Sequence, residues 1–80
     1  MGQVFIVPKL EAGVYQHYKG NHYQVLGIGC HTETNDYFVV YEPLYEHTGQ
    51  PGIWVRPYDM FTESVAINGV TTPRFRKIED

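Results

Sequence analysis

The side chains capable of chemistry in this chain are four histidines, one cysteine, a few loop carboxylates and a Trp-x-Arg pair. His17, His22, His31 and His47 lack the close paired spacing of zinc ligands, and a lone Cys30 cannot build a thiolate site, so no metal and no cofactor are expected. Cys30 and His31 are neighbours on a strand and point to opposite faces, which rules out a thiolate dyad without a bulge. Cys30 reads instead as a small buried hydrophobe. His31 and Glu33 head a polar turn, Thr32 to Asp36, where His31 is read as a brace for the turn rather than a base. Glu33, Asp36, Glu42 and Glu46 read as solvated carboxylates. No nucleophile elbow, phosphate loop or zinc-protease pair occurs, and Gly27-Ile28-Gly29 lacks the rest of any phosphate-binding fingerprint.

Trp54 and Arg56 are the strongest binding candidates. A spacing of two puts an indole and a guanidinium on one strand face, where they can stack on a ligand or on each other, and Trp, Tyr and Arg dominate interface hot spots. The competing structural reading has Trp54 filling the core and Arg56 paired with Glu63 or Asp59. Tyr18 and Arg74 have similar status, and His17 shares a face with Lys19.

These residues must be positioned by strands. Short β-branched and aromatic runs are punctuated every eight to twelve residues by Gly, Pro, Asn or Asp, and no helical face exceeds about two turns. The pattern predicts strands over 14–19, 22–31, 37–45, 53–56, 65–67 and 74–78, with one helical turn at Tyr58 to Phe61. A two-residue Gly20-Asn21 turn would set Tyr18 opposite Tyr23, and Asn68-Gly69 marks a second hairpin. Gly27 and Gly29 predict a bend in the second strand, and residues 47–52 a loop. The fold expected is an all-β, small SH3-like barrel of five or six mostly antiparallel strands with one short helical turn; an OB-like barrel competes but needs longer strands and a true helix. Residues 1–9 read as an arm or accessory strand and 10–80 as the single barrel domain. Val25, Val39, Val55 and Phe61 are expected in the core.

Eighty residues allow one core, and 42 % hydrophobic content with seven Tyr, four Phe and one Trp excludes disorder. A net charge of −3 disfavours nonspecific nucleic-acid binding, although the run Arg74-Phe75-Arg76-Lys77 leaves that reading open beside that of an edge strand. No targeting or membrane-spanning stretch is read, and the single cysteine fits a reducing cytoplasm.

Five blocks carry a family resemblance: Tyr15-Gln16-His17-Tyr18-Lys19-Gly20 with Tyr23 and Val25; His31-Thr32-Glu33-Thr34; Val39-Val40-Tyr41 with Leu44-Tyr45; Trp54-Val55-Arg56-Pro57 with Met60-Phe61; and Pro73-Arg74-Phe75. Over residues 10–78 the chain resembles a small bacterial domain-of-unknown-function family, departing from it at Thr32, where Ser is usual, and in a longer loop at 47–52. The resemblance implies an SH3-like barrel of the bacterial cytoplasm and assigns it no particular activity. A surplus of tyrosines over what so small a core needs, each with a hydroxyl that wants water or a partner, gives the functional expectation of a non-catalytic module for a protein, peptide or small-molecule ligand, using a groove of Tyr15, Tyr18, Tyr41, Trp54 and Arg56, with His17, His31, Glu33 and Arg74 as further candidates. Its alternatives are an RNA-associated accessory domain and a minimal enzyme working through His17, His31 and Glu33.

Overall fold

The computed structural model describes residues 7–46 and 52–80; His47 and most of the 47–52 loop, like residues 1–6 of the expected arm, lie outside the described residues. The described residues form, in order, seven strands and one helical turn: β1 (Gly13–His17), β2 (His22–Cys30), β3 (Tyr37–Pro43), β4 (Trp54–Pro57), α1 (Tyr58–Phe61), β5 (Ser64–Ile67), β6 (Val70–Pro73) and β7 (Phe75–Glu79). All pairings are antiparallel, in a five-stranded sheet of order β4-β3-β2-β1-β7 and a separate β5-β6 hairpin. The all-β expectation holds, with two corrections. The sheet stays open, because β4 and β7 do not pair with each other. The described residues also form seven strands, since the Asn68-Gly69 turn joins two short strands where the pattern suggested one.

The first hairpin corrects the expected register. Tyr15, not Tyr18, lies opposite Tyr23. The loop is three residues long: His17 N–H donates to Asn21 O at 2.8 Å and Gly20 N–H to His17 O at 2.8 Å, with Gly20 at φ +113°. A two-residue Gly20-Asn21 turn would put Gly20 first, whereas in the three-residue loop Gly20 stands last, the position where such loops take positive φ. His17 Nδ1 adds a lock by accepting the Lys19 N–H at 3.1 Å. The offset is three residues, an odd number, so Tyr18 leaves the shared face for the loop.

Further along, β2 bulges between Val25 and Gly27, the expected bend. Gly13, at φ +142°, lets β7 approach closely: a Cβ there would lie 2.4 Å from the Glu79 carbonyl oxygen.

Tyr15, Tyr23, Val25, Val39, Tyr41, Phe61 and Phe75 form the core on one sheet face. Phe61 of α1 stacks on Phe75 at 4.0 Å between ring centres and meets Tyr15 and Tyr41 edge-on or tilted, at 5.7 and 5.5 Å. Val55 was expected beside them but is 60 % exposed. Its neighbours Trp54 and Arg56 take the core face, so the period of two turns Val55 outward. Cys30 is also exposed rather than buried, since β2 ends there and its sulfur reaches only the His31 carbonyl at 3.8 Å. Residues 7–12 form no strand but are tied down, as the Tyr15 hydroxyl donates to Glu11 O and the Tyr58 hydroxyl to Lys9 O. Among the described residues no helix is long and apolar enough to cross a membrane.

Candidate functional site

The strand register brings one end of β1, β2, β3, β4 and β7 together. His17 lies opposite Phe75, Tyr23 opposite Pro43 and Tyr41 opposite Trp54, so β1 and β3 finish where β2, β4 and β7 begin. Strand alternation then places His17, Tyr23, Tyr41, Trp54, Arg56 and Phe75 on the core face at that end.

Phe75 is the platform. The His17 ring meets it edge-on at 4.9 Å, and the Arg56 guanidinium lies 5.6 Å from its ring centre. Arg56 Nε donates to the Tyr41 hydroxyl at 3.2 Å. Trp54, half-buried, sits 6.1–6.5 Å from the rings of Tyr23, Tyr41 and Tyr45, and the Tyr23 and Tyr45 hydroxyls are 3.2 Å apart. The expectation that Trp54 and Arg56 share a face is met, and Arg56 pairs with neither Glu63 nor Asp59. Glu63 is taken by Arg74, whose Nε donates to it at 2.9 Å.

The electrostatics follow from this packing. Burial lowers the His17 pKa, and the cations Arg74, Arg56 and Lys19 push it in the same direction. Burial, reinforced by the bond to Tyr45, pushes the Tyr23 phenol up to about 12.

Other expected site residues fall elsewhere. Tyr15 and Tyr41, placed by sequence in an open groove, are 6 % and 2 % exposed: their rings are core, and only the Tyr41 hydroxyl reaches the site. Tyr18 stacks on His17 at 4.4 Å in the hairpin loop, with the Lys19 ammonium 5.8 Å from its ring centre. His31 braces its turn as expected, its Nδ1 accepting the Glu33 N–H at 3.2 Å and its carbonyl accepting from Thr34 and Asn35. His17 and His31 stand beyond opposite ends of the nine-residue β2, a separation of roughly 30 Å along an extended strand. Hence His17, His31 and Glu33 do not converge as the enzyme reading requires. Among the described residues no three His, Cys, Asp or Glu side chains gather as metal ligands. Tyr23 and Phe75, which sequence reasoning did not place in the site, are central to it. No local pattern marks them, since Phe75 reaches His17 only because β7 pairs with β1, 58 residues along the chain.

The outer face offers a different surface, a shallow apolar depression of about 320 Å³ lined by Gly29, Cys30, His31, Phe38, Val40 and Val55. It shares no residue with the Arg56 cluster.

No curated protein matches the chain. Among solved structures, it is similar to a crystal structure of a DUF1653 protein from Bordetella bronchiseptica, with 36 % identity over 88 % of each chain and a TM-score of 0.81. The family model for DUF1653, described as a protein of unknown function, matches residues 13–77. With most of the sheet inside that match, from β1 to the middle of β7, the chain belongs to the DUF1653 family.

Proposed function

We propose that the protein is a non-catalytic binding module of the bacterial cytoplasm, engaging a protein, peptide or small-molecule partner through the Arg56 end of an SH3-like open sheet. The SH3-like reading is supported by the strand order and by a helical turn ahead of the strand that closes on β1. The observation that carries the binding reading is the state of Arg56. It is half-buried against Phe75 and Tyr41, yet among the described residues no carboxylate lies within ion-pair distance of it. A partly desolvated cation without a counter-charge is unfavourable on structural grounds alone and useful where a partner supplies the charge.

Arg56→Lys keeps the charge but removes the planar fork. In parallel captures from bacterial extract, wild-type protein should retain a species that the variant loses while the thermal midpoints agree within a few degrees. Identical captures, or a variant that merely melts early, would make Arg56 a structural brace and end this reading.

A further inference from the structure

The hydrogen-bond polarity of the Arg56 end is one-sided. His17 Nδ1 accepts the Lys19 backbone N–H at 3.1 Å, so the neutral ring carries its proton on Nε2 and presents a donor there. The Tyr41 hydroxyl accepts from Arg56 Nε at 3.2 Å, which leaves its own hydrogen to donate, and no acceptor for it lies among the described residues. The two Nη groups of Arg56 likewise meet no carboxylate among them. His17 meets the Phe75 ring edge-on and the Arg56 guanidinium lies over it, so both donors stand beside the same ring.

We infer that this locus is an oxyanion site, taking a carboxylate or phosphate group through the Arg56 Nη groups, the Tyr41 hydroxyl and His17 Nε2–H. The inference deepens the binding-module reading and rests on it. Donors without acceptors select a ligand rich in acceptors, and a guanidinium suits a carboxylate or phosphate better than any neutral carbonyl. The charges facing His17 agree. From its own loop comes Lys19, with the Tyr18 phenol stacked on the ring, from β4 Arg56, and from the residue before β7 Arg74, which Glu63 already partners. Burial lowers the His17 titration most, and the cations push it in the same direction, a locally positive potential that a bound anion would relieve.

The test uses the full chain, with inorganic phosphate and glutarate as separate probes and sodium chloride at matched ionic strength as control. Side-chain NMR follows His17 and Arg56, and fluorescence follows Trp54, the one tryptophan of the chain. A bound anion should shift the Arg56 Nε–H resonance saturably and raise the His17 titration midpoint, because it stabilises the imidazolium. Arg56→Lys should weaken the response about tenfold, as expected for loss of a bidentate charged contact. Tyr41→Phe, which keeps the core ring, should weaken it several-fold and stands in if the first variant is unstable. A response to phosphate alone identifies a phosphate-bearing ligand, one to glutarate alone a carboxylate, and one to both a general oxyanion site. Shifts no larger than those in chloride, or unchanged in both variants, would overturn the inference. If the differential capture by Arg56 nonetheless persists, the module reading survives and only the ligand class is wrong.

Discussion

The middle of the core face and its Arg56 end are built from the same kinds of residue with opposite results. In the middle, Phe61 closes over Tyr15, Tyr41 and Phe75, and the one hydroxyl that points away, that of Tyr15, is satisfied by the Glu11 carbonyl. At the end, the Tyr41 hydroxyl, the Arg56 guanidinium and His17 surround Phe75 with donors that find too few acceptors. The middle is complete as a core. The end leaves donors open among the described residues, and a site there would not weaken the interior.

That contrast can be broken or sharpened by experiment. The largest effect belongs to the middle: Phe61→Ala, at a position 1 % exposed, should cost about 3–5 kcal/mol in urea unfolding. Since a domain of this size commands only about 5–15 kcal/mol in total, a loss below about 1 kcal/mol would show that α1 does not hold the core shut.

Next comes the pairing of Arg74. Glu63→Gln leaves an acceptor in place but removes the charge, and for a partly exposed pair the expected cost is up to about 1 kcal/mol. A greater loss would mean that the paired arginine, rather than the unpaired one, is the critical cation at this end.

A gentler effect belongs to pH. His17 titrates in the folded protein below its ordinary value of 6.5, so in the window beneath that value the unfolded chain binds more protons than the native one. The His17 contribution is therefore fully present above about pH 6.5 and declines as pH falls toward the depressed folded midpoint. Urea midpoints measured from pH 7.5 to 5 should show this decline in the wild type and a flatter profile in His17→Gln. Equal slopes would mean that neither burial nor the cations around the ring lower its titration.

The smallest effect is expected on the outer face. Val55→Thr should change stability by less than about 0.5 kcal/mol because the side chain is 60 % exposed. A large loss there would place a second core on the wrong side of the sheet.

The sequence by itself determined that the chain is all-β, that a helical turn sits at Tyr58 to Phe61, that Val25, Val39 and Phe61 are buried, and that Trp54 and Arg56 share a face. Each follows from local rules: residue periodicity, Pro and Gly punctuation, and the limited supply of apolar side chains. Even there, burying Val55 conflicted with placing Trp54 and Arg56 on the core face, since a strand with one buried face cannot turn three consecutive residues inward. Tertiary structure alone decided the hairpin register: a positive φ at Gly20 serves a two-residue turn and a three-residue loop alike, and the pairing of Tyr15 with Tyr23, with His17 Nδ1 accepting the Lys19 N–H, selects the longer one. It also decided which of two arginines near the same histidine meets a carboxylate. Glu63 lies just before β5 and Arg74 just after β6, so the β5-β6 hairpin brings that pair together and leaves Arg56 across the sheet with rings and a hydroxyl. Charge partners of this kind are separated by whole strands along the chain, and only the path of the backbone determines which of them come within reach.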